Sequence, residues 1–172
     1  MGDVVWAPWR MEYILSEKSG GCIFCEKPRQ DRDADNHILW RGETAFVMLN
    51  RYPYNNGHLM IAPHAHVPSL TALAPSQRTE LFELTAMCEH ILQQVLRPDG
   101  FNIGINLGSA AGAGIAEHLH VHIVPRWAGD TNYMTVVGDI RVMPQHLDHT
   151  YQLLITHFHT RHNESSRSHA TS

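Results

Sequence analysis

The sequence predicts a single domain of mixed helix and strand, and three observations predict it. Five short segments rich in β-branched and large apolar residues are bounded by turn residues. One long segment repeats its apolar positions at intervals of three and four. The chain has 172 residues, 43% hydrophobic and 17% charged, which suits one core rather than several. The expected domain covers residues 1–160, and the polar stretch 161–172 is expected to be a disordered tail.

Taken in order, residues 20–36 hold Cys22-Ile-Phe-Cys25 and then a charged, turn-rich run, read as a knuckle followed by a surface loop. Residues 37–40 and 44–50 read as strands around the turn Arg41-Gly-Glu43, a hairpin. Tyr52-Pro-Tyr-Asn-Asn-Gly57 supplies turn residues, and 58–62 reads as a further strand that Pro63 ends, with His64-Ala-His66 in the exit loop. Between Pro75 and Leu96, residues Leu81, Leu84, Cys88, Ile91 and Val95 mark one buried face of a helix, which Arg97-Pro-Asp-Gly100 stops. Residues 101–107 and 118–124 read as the strands of a second hairpin around the small-residue loop 108–114, the latter strand closed by Pro125. A last helix is expected over 144–154. No internal repeat is visible.

Charge and composition restrict the function. The formal net charge is −4 with a pI near 6.4, so no global positive field attracts nucleic acid or an acidic membrane, and neither is expected as a partner. The amino terminus lacks a basic stretch followed by an apolar run, and no apolar run approaches membrane-spanning length, so a soluble, cytoplasmic protein is expected. Two of the three cysteines form the Cys-x-x-Cys pair, whose spacing suits a metal knuckle, a redox pair or two unrelated thiols. Cys88 falls in the helix and reads as core. Of the fourteen histidines, His157, His159, His162 and His169 lie in or beside the polar tail and carry no assignment.

The informative histidines are His118-Leu-His120-Val-His122. Alternate residues of a strand share a face, so the three imidazoles form a row while Leu119, Val121 and Ile123 pack behind. A neutral imidazole whose N–H is held by a carbonyl presents a lone pair that can attack phosphorus. The alternatives are a metal-binding row and a structural one. The preceding Gly/Ala loop lets backbone approach a phosphate, and Arg126 after Pro125 adds a cation that either faces phosphate or pairs with Asp130. Trp6, Trp9, Trp40 and Trp127 are of a type that stacks on bases but more often fills cores.

His118-Leu-His-Val-His-Ile-Val-Pro-Arg126 resembles the signature of the histidine triad (HIT) superfamily, and the match continues through Ala128-Gly-Asp130. Phe46-Val-Met-Leu-Asn50-Arg, Gly57-His-Leu-Met-Ile-Ala-Pro63 and the long helix resemble its fragile histidine triad branch, so the likeness covers most of residues 37–130. Trp6-Ala-Pro-Trp-Arg-Met-Glu-Tyr-Ile14, the cysteine pair and the loop 108–114 are more similar to bacterial diadenosine tetraphosphate phosphorylases of this superfamily.

The resemblance implies an α+β fold with a five-stranded antiparallel sheet, helices on one side, and a homodimer. It implies that His120 attacks an α-phosphorus to form a nucleotidyl-histidine, that His122 hydrogen-bonds a phosphate oxygen, that Asn50 binds ribose and that Asn106 fixes the nucleotide. Many hydrolase relatives carry Gln followed by Ser or Thr where this chain has Gly114-Ile115; Ser109 or the amides of Gly112 to Gly114 are the substitutes for that phosphate contact. The likeness to zinc-bearing members implies a structural zinc on Cys22, Cys25, His66 and His118, with His64 the alternative to His66.

The expected activity is cleavage of dinucleoside polyphosphates such as diadenosine tetraphosphate, by phosphorolysis or hydrolysis. The alternatives are a nucleoside phosphoramidate or adenylyl-conjugate hydrolase and a low-turnover, nucleotide-binding regulatory dimer.

Overall fold

The computed structural model describes residues 21–130 and 146–169. Trp6, Trp9, the 6–14 segment and the expected start of the last helix at Pro144 lie outside the described residues. Two short helical turns, α1 (Ile23–Glu26) and α2 (Asp33–Asn36), precede β1 (Ile38–Arg41), β2 (Ala45–Leu49) and β3 (Leu59–Pro63). The long helix α3 (Pro75–Leu96), the strands β4 (Gly100–Ile105) and β5 (Val121–Arg126), and the helix α4 (Leu147–His169) follow. The strands form one sheet in the order β1-β2-β3-β5-β4, with every pairing antiparallel. This is the α+β architecture with a five-stranded antiparallel sheet. Among the described residues no helix is long and apolar enough to cross a membrane.

Strands β2 and β3 are buried on both faces, and the period-two alternation of the sheet divides the apolar residues between two cores. Val47, Leu49, Leu59, Ile61, Val121 and Ile123 meet the apolar stripe of α3 (Leu81, Leu84, Cys88, Ile91, Leu92) and Tyr151, Leu154 and Phe158 of α4. On the opposite face Phe46, Met48, Met60 and Ala62 pack with Ile38 and with Phe24 of the cysteine turn. The two long helices thus lie on one side, and the knuckle covers the other.

Helix α3 has the expected bounds. Pro75 opens it, Gln77 Oε1 accepts the N–H of Ala74 at 2.9 Å, and Arg97 ends it in the left-handed conformation just before Pro98. Helix α4 runs further than expected, to His169 rather than Leu154, and so continues into the stretch from 161 that composition marks as a tail. Phe158 explains part of the extension, because it carries the buried apolar stripe of Tyr151 and Leu154 one turn beyond the expected end.

The strand boundaries also differ from those expected, by one residue at β1, β2 and β3, by up to two at β4, and most at β5. The ladder of β5 begins at Val121 rather than His118, because the Leu119 N–H donates to Val67 O at 2.7 Å, outside the sheet. Pro125 does not close the strand. Beyond Ile123 only β4 lies beside β5, so the missing proline N–H costs no bond to β3, and the strand continues to Arg126. At the turn into β3, Gly57 has φ +72°, and a Cβ there would sit 2.5 Å from Leu96 Cδ1; the site-bearing strand therefore enters against α3 through a residue that must be glycine.

Candidate active site

Alternation persists through residues 118–122 although the ladder starts late: Leu119, Val121 and Ile123 enter the helix-side core, while the three histidines face the knuckle side. His120 is buried, and its Nδ1–H donates to the carbonyl of His118 at 2.8 Å. That bond fixes the tautomer and leaves the lone pair on Nε2. The ring of His120 is flanked by Phe24, with centroids 4.7 Å apart, and by His122, also at 4.7 Å and nearly perpendicular.

His122 is oriented in turn by His58, a residue absent from the sequence-derived site. The Tyr54 N–H donates to His58 Nδ1 at 3.0 Å, so His58 carries its proton on Nε2 and donates it to His122 Nδ1 at 2.9 Å. His122 is thereby left with an N–H on Nε2, a donor suited to a phosphate oxygen. His58 is fully buried at the head of β3. Its parity with Met60, which stands opposite His122, was the signal that could have found it.

Burial first, then the neighbouring imidazoles, push His58 down to about 3, and burial with His120 beside it pushes His122 down to about 4. Burial also lowers His120, against a smaller opposing effect of its bond to the His118 carbonyl. All three imidazoles are therefore neutral at physiological pH.

This has a consequence for stability. Below the ordinary histidine value of 6.5 the unfolded chain takes up protons that native His58 and His122 refuse. Their contribution is complete above pH 6.5 and is lost as pH falls towards the native values of about 4 and about 3. Denaturant midpoints should therefore drop between about pH 6.5 and about pH 4, with a shallower drop in His58→Phe. Equal slopes in the two proteins would refute the assignment.

The remaining expected contacts surround this row. Asn50 lies at the end of β2; its amide nitrogen is 3.3 Å from His58 Nδ1 and its carbonyl oxygen accepts the Tyr52 N–H at 2.9 Å, so a ribose contact would share these groups. Gly104 of β4 stands opposite His122 with open space where a Cβ would be, and half-buried Asn106 follows two residues later. In the loop 108–114, Gly108 and Gly112 both have positive φ, a conformation that favours glycine. The loop uses some of its own donors: the Gly112 N–H goes to Ser109 O at 3.0 Å and the Ala113 N–H to Gly108 O at 3.4 Å. A phosphate contact at the Gly112 amide therefore requires the turn to open, whereas the Ser109 side chain is exposed. Arg126 pairs with Asp130 through two bonds of 2.6 and 2.8 Å and donates to Asn102 at 2.7 Å, the surface-pairing alternative.

The second cluster lies one residue pair away. The ligand atoms of Cys22, Cys25, His66 and His118 all fall within 4.8 Å of one another. His118 Nδ1 is 3.3 Å from Cys22 Sγ, 3.5 Å from Cys25 Sγ and 3.2 Å from His66 Nδ1, and His66 Nδ1 is 3.3 Å from Cys25 Sγ. The His118 Nε2–H donates to Pro63 O at 2.9 Å, which turns its Nδ1 lone pair toward the thiols. A tetrahedral ion held by two sulfurs and two nitrogens has edges of about 3.3 to about 3.8 Å, so the four donors fit such an ion in number and type, and these four separations lie near its edges. His64 turns away: its Nε2 lies 3.3 Å from Gly42 O and its ring stacks on Phe46.

An antiparallel sheet bearing a row of neutral imidazoles beside a Cys₂His₂ cluster defines a histidine-triad type of site. The profile of the HIT domain matches residues 31–129. The chain belongs to the HIT family. It is 42% identical over 161 residues to the AP-4-A phosphorylase of Mycobacterium tuberculosis, covering 88% of this chain and 82% of that protein. It is 33% identical over 95 residues to the asymmetrical bis(5'-nucleosyl)-tetraphosphatase of Schizosaccharomyces pombe, covering 55% of this chain and 52% of the relative. Among solved structures, a zinc-bound histidine triad family protein from Mycobacterium smegmatis matches with a TM-score of 0.67 at 25% identity, over 84% of this chain and 97% of that one.

Proposed function

We propose that this HIT-family enzyme cleaves dinucleoside polyphosphates by transferring a nucleotidyl group to His120 and then to inorganic phosphate. The observation that carries the chemistry is the 2.8 Å bond from His120 Nδ1 to the His118 carbonyl, which leaves the Nε2 lone pair available to act as the nucleophile. Nε2 forms a bond to the α-phosphorus as the bond from that phosphorus to the bridging oxygen breaks, and the remaining nucleotide leaves as a stable anion. The Nε2–H of His122, held in place by His58, hydrogen-bonds a nonbridging oxygen as charge grows there. A phosphate oxygen then attacks the nucleotidyl-histidine from the vacated side and the P–N bond breaks. Two in-line displacements leave the configuration at phosphorus retained. Asn50 and Asn106 hold the nucleotide, with Ser109 and the amide region of Gly114 beside the phosphates.

Phosphate as the acceptor is supported by the 42% identical relative named as a phosphorylase. Incubation with diadenosine tetraphosphate tests it. ADP and ATP should form only when phosphate is present; AMP and ATP formed without phosphate would assign a hydrolase, and no product in either condition would reject the reading. His58→Phe should lower kcat by about 10- to 100-fold with little change in KM, because it removes the donor that orients His122 but no substrate contact. A kcat within about twofold of wild type would remove His58 from the mechanism.

Cys22, Cys25, His66 and His118 would hold zinc, with every ligand position supplied by protein and none left for water. Such an ion supplies cross-linking between the knuckle, the loop after β3 and the catalytic strand, and no step of the transfer. The homodimer belongs to the same reading and is supported by β4, an edge strand with Ile103 exposed and Leu107 exposed just after it. Sedimentation should give a dimer that Ile103→Arg converts to monomer; an unchanged dimer would place the contact elsewhere.

A further inference from the structure

We infer that Phe24 is a positioning residue for His120, through which the cysteine turn sets the direction of the nucleophilic lone pair. The inference rests on the proposed role of His120. Among the described residues His120 has a single hydrogen bond to hold its ring, from Nδ1 to the His118 carbonyl. One bond acts as a hinge: it fixes the tautomer but leaves rotation about the ring's broad terminal torsion to be stopped by packing. Two rings supply that packing. His122 meets His120 at 75° and Phe24 lies across it at 34°, each at 4.7 Å between centroids. His122 is braced separately by His58, so among the described residues the ring supporting the other flank of His120 is Phe24.

Phe24 is placed there by the motif itself. It sits between Cys22 and Cys25 in α1, is 1% exposed, and also lies 5.2 Å from the ring of His118. With both cysteines drawn to the cluster, Phe24, one of the two residues between them, is turned inward, between the candidate metal ligands and His120. A movement of the cysteine turn therefore reaches His120 along two routes, the backbone carbonyl of His118 and the face of Phe24.

Phe24 is also a core residue, so the test separates the two roles. Phe24→Leu and Phe24→Met keep apolar bulk but remove the flat face, and Phe46→Leu, in the same core at 6.4 Å from Phe24, is the matched control. In protein loaded with zinc, two quantities are read: solvent exchange of the His120 Nδ1–H by NMR, assigned through His120→Asn, and steady-state kinetics on diadenosine tetraphosphate. The Phe24 variants should show Nδ1–H exchange about tenfold or more faster than the control and kcat about tenfold or more lower, at KM within about twofold. Exchange no faster than in Phe46→Leu, or faster exchange at unchanged kcat, overturns the inference. If wild-type protein turns over no nucleotide, the proposed function fails, and the exchange comparison alone decides whether Phe24 positions His120.

Discussion

His120→Asn should remain folded and bind nucleotide while losing about 10⁴-fold or more in kcat. The asparagine amide can donate as Nδ1 does and so preserves the bond to the His118 carbonyl, but it has no lone pair in the place of Nε2 with which to bond phosphorus. The measurements are a rate on diadenosine tetraphosphate and a trap for the acid-labile nucleotidyl adduct. The wild type should yield adduct on denaturing quench and the variant none. If the variant retained turnover within about tenfold, a direct attack by water or phosphate would replace the covalent route and His120 would become a binding residue. The same experiment distinguishes an enzyme from a low-turnover nucleotide-binding dimer, which would show equal binding and no adduct in either protein.

The second large effect is expected at the Cys₂His₂ cluster. Removing the metal by chelation, or one ligand by Cys22→Ser, should lower the melting temperature by roughly 10 °C or more and abolish stoichiometric zinc. The scale follows from what is left behind. The cluster joins three segments far apart in sequence, and without an ion its donors crowd a half-buried site with little else to bond. Activity should fall with stability, because His118 stands in both sites. A melting temperature and metal content equal to wild type in Cys22→Ser would rule out the metal site, whatever happened to activity.

The elements were legible where one physical signal dominated. Helix α3 could be read to its ends because a proline opens it, a proline-containing run stops it, and its stripe of Leu81, Leu84, Cys88 and Ile91 faces one core. The strands were legible as existing but less so in extent. Pro125 reads as a terminator only if the strand has neighbours on both sides, and that depends on the sheet order. The donor that delays β5, Leu119 to Val67, joins residues whose proximity no local pattern records. Helix α4 was cut short because composition outweighed the spacing of Leu154 and Phe158.

At the site, the row of histidines follows from alternation alone, and the four candidate ligands follow from the resemblance to zinc-bearing members. His58 was overlooked because its role arises from a cross-strand relation rather than from spacing along the chain, and because a histidine at the start of a strand reads as a turn residue. Phe24 carried no signal beyond hydrophobicity, since what distinguishes it is the ring it touches.

His118 has its side chain committed to the cysteines and its carbonyl to His120. These are independent assets: an imidazole must be encoded, but every amino acid brings a carbonyl. The orientation of His120, the proposed nucleophile, is thus insured against mutation at its own orienting residue. An engineer could exchange Cys22, Cys25, His66 and His118 together for a packed apolar set and still keep the acceptor that selects the reactive nitrogen, provided the path of the chain is preserved.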